Sequence, residues 1–299
     1  MRVVQFDDLP PLPELAVIIN VGTKNVATLS LLSSLRYAAA PVLLIDCESR
    51  DGSLDWFGSL LRSYDFYLMS MPRRPHGATL DCVFRHVRCQ RLLLIDSDVE
   101  LLNGEMLQLM RTLLHQDPCA YGSGYFQRAE SLKEHYGTGL QIAPGIGLYK
   151  ARPWIPFALF RVAPVCGALK AGRSFMHKLT LNEFHKIPPL SRILWRRFQL
   201  GVFRRKRLSV LDPFRTEHDG MRPAYVFYDT GAGIHEYLTG QNFSFCDVGA
   251  GLPPWSVVHL QGVTRDALQG PSHDAHNIHE ANARVKERLV SLYNISFPD

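Results

Sequence analysis

The sequence has no Cys-x-x-Cys pair: its six cysteines (Cys47, Cys82, Cys89, Cys119, Cys166 and Cys246) are scattered, most of them inside apolar runs. This argues against a zinc ribbon or a disulfide framework and predicts reduced, buried thiols. Also lacking is any run of about 18 to 20 uninterrupted apolar residues, the length a membrane-crossing helix needs. The best stretch, Trp154 to Leu169, is broken by Pro156, Arg161, Pro164 and Gly167, so no transmembrane protein is expected. The opening residues Met1 to Pro10 carry neither an apolar signal core nor a small-residue cleavage site. The expected location is therefore cytoplasmic, with peripheral attachment to a membrane as the variant. No internal repeat and no low-complexity linker divides the 299 residues. Hydrophobic residues at 46% and charged residues at 20% are ordinary for a globular chain and exclude disordered, collagenous and coiled-coil classes.

A general excess of cations is missing too. The formal charge is +5, but seven cations (Arg192, Arg196, Arg197, Arg204, Arg205, Lys206 and Arg207) fall between Ser191 and Leu211 with no acid among them. Without them 26 bases stand against 28 acids, so the surplus is one local feature. A basic segment bearing Trp195 and Phe198 suits an anionic membrane surface or an anionic acceptor, or is a solvated face. No aromatic-interleaved recognition module accompanies it, and a nucleic-acid partner is not expected.

What is present is an alternation of apolar and amphipathic runs. Leu15 to Asn20 reads as a buried strand, and the spacing of Leu29, Leu32, Leu35 and Tyr37 predicts a helix over 26–39. A second strand, Val42 to Ile45, ends at Asp46, and Asp51-Gly52-Ser53 announces a helix over 53–64. A third strand over 66–69, a helix over 79–90 and a fourth strand over 91–95, ending at Asp96, complete the half. Such an order means an α/β fold with a parallel sheet, helices on its faces and right-handed crossovers. In such sheets ligands bind outside the carboxyl ends of the strands, where Asp46 and Asp96 stand. The chain divides softly at residue 120, and residues 272–293 predict a docked terminal helix with a stripe of Ile278, Ala281, Val285 and Leu289 or Val290.

Asp96-Ser97-Asp98 follows an apolar run directly. On an extended backbone residues 96 and 98 project the same way, and two carboxylates at a strand end make a hard-oxygen site suited to Mg²⁺ or Mn²⁺ carrying a diphosphate. The bland reading is a strand end followed by an acidic turn.

Val42-Leu-Leu-Ile-Asp-Cys-Glu-Ser-Arg-Asp-Gly-Ser53 resembles the VVDNGSTDGS block of family 2 glycosyltransferases of the GT-A fold, with Asp46, Ser49, Asp51, Gly52 and Ser53 at matching positions. His76-Gly-Ala-Thr-Leu-Asp81 takes the place of the loop and helix start before the family's D-x-D strand, and the D-x-D falls on Asp96 and Asp98. The run from Tyr228 to Gly240 resembles the family's ED…L…G segment, with Asp229 and Gly240 eleven apart, although Tyr228 stands where the family usually has an acid. The likeness covers roughly residues 15–265, and 120–220 matches nothing in the family.

The resemblance implies a GT-A type, Rossmann-like, mainly parallel sheet flanked by helices, with a fused acceptor-binding half. Residues 1–120 would form the nucleotide-sugar half, 121–265 the acceptor-binding and catalytic half, and 266–299 a helical tail. Asp46, Ser49, Asp51, His76, Gly77, Asp81 and Asp96 would bind the nucleotide-sugar, a UDP-sugar being favoured. Asp96 and Asp98 would hold Mn²⁺ or Mg²⁺. His259, in the apolar run from Val257 to Gly262, would be a third ligand or else a satisfied core histidine. Asp229 would be the base that deprotonates a saccharide or lipid-linked acceptor while also capping the helix that follows, with Glu236 in reserve. The Q-x-x-R-W signature of processive synthases is absent, so one sugar per encounter is expected. Two alternatives remain: a nucleotidyltransferase of similar fold, disfavoured because Lys24 is the only evident cation near the first strand, or a non-catalytic membrane- or carbohydrate-binding module.

Overall fold

Short apolar runs bounded by turn-forming residues become the central strands, as their lengths require. The computed structural model describes residues 5–127, 146–147, 151–181, 225–249, 256–260 and 275–297. The elements of the first half are β1 (Leu12–Asn20), α1 (Lys24–Tyr37), β2 (Val42–Asp46), α2 (Ser53–Leu60), β3 (Tyr67–Ser70), α3 (His76–His86), β4 (Cys89–Asp96), β5 (Val99–Leu101) and α4 (Glu105–Gln116). Those of the second are β6 (Ala120–Gln127), β7 (Ile146–Gly147), β8 (Arg152–Arg161), α5 (Val162–Lys170), β9 (Lys178–Leu181), β10 (Tyr225–Tyr228), α6 (Ala232–Gly240), β11 (Ser244–Asp247), β12 (Val257–His259) and α7 (Ala275–Tyr293).

One seven-stranded sheet has the order β11-β6-β8-β4-β1-β2-β3. The pairings β1–β2, β1–β4, β2–β3 and β11–β6 are parallel, and only β8 runs against its neighbours β4 and β6. The fold class is thus α/β with a mainly parallel sheet flanked by helices. Strands from both sides of residue 120 share this sheet. A two-stranded ribbon (β5 with β12) and a three-stranded sheet (β7-β10-β9) lie apart from it.

Burial on both faces explains why β1 and β2 read as continuous apolar runs. Successive side chains alternate faces: Leu15, Val17 and Ile19 pack with Val83 and Phe84 of α3, whereas Ala16 and Ile18 pack with Ala27 and Leu31 of α1 and Met110 of α4. The stripe that predicted α1 has another partner. Leu29 and Leu32 meet Val285 and Leu289 of α7, while Ala27 and Leu31 meet the sheet, so α1 is buried on two faces. It also buries Ser30, Ser33 and Ser34, of which two find partners outside the helix. Ser30 donates to the Asp96 carbonyl at 3.0 Å and Ser33 accepts the Leu101 amide at 3.1 Å.

Element boundaries shift by a few residues. α3 begins at His76, three earlier than expected, because Pro75 stands immediately before it and its fixed φ suits a helix start. β4 begins at Cys89 because that residue pairs with Leu12. In the tail, Leu289 is buried and Val290 is 48% exposed, which resolves the stripe in favour of Leu289. The expectation of buried thiols holds only for Cys47. All six cysteines are free, but Cys119 is exposed, since it lies in the turn between α4 and β6 where the chain reaches the surface. The basic segment 192–207 lies outside the described residues.

Candidate active site

At the carboxyl ends of β1 and β4 a cavity of about 520 Å³ opens, lined by Ile19, Val21, Arg73, Arg74, Pro75, His76, Thr79, Asp96, Ser97 and Asp98. Its acidic rim is built by β4. Asp96 ends the strand, residues 97 and 98 form a turn, and β5 begins at Val99. The two carboxylates therefore meet the cavity through a tight turn and not through strand alternation, and Ser97 faces the same space. The turn is pinned from several directions. Ser30 holds the Asp96 carbonyl, Thr23 Oγ1 lies 3.3 Å from Ser97 Oγ, and Leu260 donates its amide to the Asp98 carbonyl at 2.7 Å.

Pairing of β12 with β5 sets His259 opposite Val99 and puts its Nε2 3.3 Å from Asp98 Oδ1. On the other side His76 Nε2 is 3.8 Å from Asp96 Oδ1. Burial pushes the Asp96 carboxyl above the usual range; His76 opposes this and the neighbouring Asp98 charge adds to it. Burial acts against charge on His259, but its hydrogen bond to Asp98 and the charges of Asp98 and Asp96 outweigh that and raise its pKa. Among the described residues no three His, Cys, Asp or Glu side chains stand as a ready-made metal cage. Asp96 and Asp98 line the cavity, and His259 reaches the second of them from β12. The expected third ligand, His259, is thus in contact with Asp98.

The cavity also has a basic rim, which sequence reasoning missed. Arg73 and Arg74 follow β3, and among the described residues neither makes an ion pair. The signal was legible in principle: adjacent arginines between two prolines, just past a strand's carboxyl end, where such folds bind ligands. Lys24 is thus not the only cation near this end of the sheet. Lys24 instead lies over the ring of Phe297, 5.7 Å from its centroid.

The remaining residues expected to bind the donor also make bonds within the fold. Asp46 is buried and accepts from Asn20 Nδ2 at 2.8 Å and from the Ser49 amide at 3.1 Å. Ser49 Oγ accepts from Asn20 Nδ2 and the Gly22 amide, and Asn20 Oδ1 accepts from Thr23, so these residues brace the strand ends beside the cavity. Asn20 and Thr23, the centre of that brace, were also missed. Asp51 binds the amides of Lys24 and Ser53 and the Ser53 hydroxyl. Burial works against its charge, but these bonds win and hold the carboxyl below its ordinary value. Gly52, at φ +77, takes the N-cap position of α2. Gly77 and Asp81 serve the packing of residues 174–176 onto α3. A Cβ at Gly77 would come within 2.7 Å of the Met176 backbone, and Asp81 accepts from Ser174 Oγ at 2.5 Å and the Phe175 amide at 2.8 Å.

Asp229 follows β10. Its side chain does not cap α6: Gly231 is the N-cap, with no side-chain cap bond, and only the Asp229 carbonyl accepts, from Ala232. The carboxylate is engaged by Arg152, which donates from Nε at 3.0 Å and Nη2 at 2.6 Å to Oδ2, while the Thr230 amide donates to Oδ1 at 2.8 Å. Arg152 is buried, and its charge reaches Asp96, so this ion pair lies within electrostatic range of the acidic turn. Glu236, the reserve base, is exposed and accepts from the Tyr228 hydroxyl.

No family model matches the chain, and no curated protein matches it. Among solved structures it is similar to the mannosyltransferase PcManGT from Pyrobaculum calidifontis in complex with GDP-Man and Mn²⁺, at 12% identity and TM-score 0.44, covering 93% of this chain and 72% of that one. It is similar to S. aureus TarS 1-349 in complex with UDP-GlcNAc, at 12% identity and TM-score 0.37, covering 52% of this chain and 46% of that one. A third similarity is to glucosyl-3-phosphoglycerate synthase from Mycobacterium tuberculosis in complex with Mn²⁺, UDP and glucosyl-3-phosphoglycerate, at 15% identity and TM-score 0.34, over 51% and 57% of the two chains. The match to TarS itself spans 29% of that chain. At these TM-scores, function has to be argued from the chain's own residues.

Proposed function

We propose that the chain is a metal-dependent, inverting glycosyltransferase of GT-A type that moves one sugar from a nucleoside-diphosphate sugar, a UDP-sugar being favoured, to a hydroxyl of a saccharide or lipid-linked acceptor. One observation carries the reading: a cavity at the strand ends lined both by two carboxylates and by two arginines without ion-pair partners among the described residues. Such a site matches a diphosphate bridged to the protein through a cation.

The donor set fits that cation. Two carboxylates and an imidazole on an open rim suit Mn²⁺ or Mg²⁺, which bind through one or two carboxylates and complete their shell with substrate phosphates and water. Burial, and to a lesser degree the Asp98 charge, disfavours ionised Asp96, and bound positive charge would offset both. When bound, the ion would neutralise charge developing on the leaving nucleoside diphosphate.

Asp96, Asp98 and His259 would hold the ion, and Arg73 and Arg74 would take phosphate oxygens directly. Asp46, Ser49 and Asp51 would shape the donor half by bracing its strand ends. Asp229 would act as base. Oδ2 is taken by Arg152, but Oδ1 has a single amide donor and keeps a lone pair for the acceptor proton. The acceptor oxygen bonds to the anomeric carbon as the carbon–phosphate-oxygen bond breaks, and the hydroxyl proton passes to Oδ1. Residues 121–265 would supply the acceptor side, and 192–207 would meet an anionic membrane surface.

Arg73 and Arg74 also favour a second reading, nucleotidyl transfer, which needs cations on a triphosphate. The test is to incubate the protein with UDP- and GDP-sugars, or with nucleoside triphosphates and sugar phosphates, and follow products. Mn²⁺-dependent release of nucleoside diphosphate supports glycosyl transfer. Release of pyrophosphate alone replaces it with the second reading.

A further inference from the structure

The acidic turn leads directly into a strand too short to hold its own register. β5 has three residues and pairs only with the three of β12, joined by Val99↔His259, Glu100↔Val258 and Leu101↔Val257. A two-stranded ribbon is marginal on its own even at greater length. Between the two core-facing residues Val99 and Leu101 stands Glu100, a carboxylate 1% exposed. Its charge is satisfied from the far end of the chain. Arg288 donates to Oε1 at 2.6 Å and Arg284 to Oε2 at 3.2 Å, both from α7 and one helical turn apart. Val258 of β12 packs in the cluster that joins α7 to α1. The ribbon that carries Asp98 at one corner and His259 at the other is thus gripped on its outer side by α7.

We propose that Arg284 and Arg288 are positioning residues: through Glu100 they fix the register of β5 against β12 and so set the Asp98–His259 contact that the site depends on. The consequence for transfer rests on the glycosyltransferase reading, whereas the effect on register does not. A buried carboxylate stripped of its cations is strongly unfavourable, so the ribbon shifts to expose it when both arginines are neutralised.

The experiment compares the full-length wild type with Arg284→Gln, Arg284→Gln/Arg288→Gln and Arg288→Lys, at a temperature well below every melting transition. Amide hydrogen exchange is read in the metal-free protein, and kcat, donor KM and the Mn²⁺ concentration for half-activity are read in the presence of UDP- and GDP-sugars. In the double variant the Leu260 amide, bonded to the Asp98 carbonyl, is expected to exchange at least about 10-fold faster while β1 and β2 amides are unchanged. The Mn²⁺ requirement is expected to rise by about 10- to 100-fold, the usual effect of disturbing groups that orient ligands, with kcat falling and donor KM nearly constant. Arg288→Lys should restore much of both, and Arg284→Gln, which loses the longer bond, should lie between. Unchanged Leu260 exchange in a folded double variant overturns the proposal, as does acceleration spread equally over β1 and β2. If the wild type transfers no sugar, the glycosyltransferase reading falls, and Leu260 exchange alone still decides the positioning role.

Discussion

The two rims of the cavity are built on opposite plans. Asp96, Ser97 and Asp98 are held by α1, by Thr23, by β12 and, through Glu100, by α7. Arg73 and Arg74 lie exposed on a loop and make no ion pair among the described residues. The difference follows from what each rim would do. Carboxylates that orient a small hard cation must be placed before it arrives, because its geometry is demanding. Guanidiniums that receive a flexible phosphate chain gain from long side chains that can adjust. Damage to the acidic rim should therefore appear in the rate and in the metal's contribution to nucleotide binding, and damage to the basic rim in affinity without loss of rate.

The largest effect is expected next to the acidic rim. Asp229→Asn should lower transfer by about 10² to 10⁴, the range of general-base catalysis, and the melting temperature should also fall because Arg152 loses its charged partner. Single-turnover rates taken below the transition separate the two effects, and Glu236→Gln should be mild. Turnover near wild type in Asp229→Asn removes that residue from the mechanism. Asp98→Ala should cost about 10³-fold in kcat/KM, several kcal/mol of lost charge stabilisation, and calorimetry should show that Mn²⁺ no longer improves UDP or GDP binding.

Arg73→Gln/Arg74→Gln tests the other rim. Each charge-assisted hydrogen bond is worth about 1.5 to 3 kcal/mol, so the Kd for the nucleoside diphosphate should rise about 10-fold or more with the melting temperature unchanged. An effect on kcat alone would erase the distinction between the rims.

The smallest effect lies away from both. Burial lowers His235 to about pKa 4, and its Nδ1 is 2.7 Å from the Tyr121 hydroxyl. The unfolded chain takes up this proton near pH 6.5 and the folded one only near 4, so stability is full above the unfolded value and is lost as pH falls through that window. Urea unfolding from pH 7 to 4 should show a shallower decline in His235→Gln than in wild type, and parallel slopes would refute the assignment.

How much of this was legible in the sequence depends on the range of the interactions. Strand ends at Asp46 and Asp96 could be read because buried parallel strands are continuous apolar runs closed by a polar residue. The neighbourhood of His259 and Asp98 could only be guessed, since it depends on a ribbon joining residues 160 positions apart. Asp46 and Asp81 look like ligand residues in one dimension; the structure adds that each also accepts two bonds from the protein, from Asn20 and Ser49 and from Ser174 and Phe175. The Arg152–Asp229 pair was invisible because nothing local marks an arginine at a strand start as buried. Arg73 and Arg74 sit in a loop with no periodicity, and only the cavity that the fold forms gives them a place.

The distribution of thiols has a practical consequence in chemical reactivity. Burial pushes Cys47 up to about 11 and Cys89 to about 12, and it raises Cys166 and Cys246 as well, so these side chains hold little of the nucleophilic thiolate at neutral pH. Cys119 is the one exposed thiol of the six. An alkylating dye or spin label therefore has its most accessible target there, in the turn before β6, with the half-buried Cys82 as the competing site.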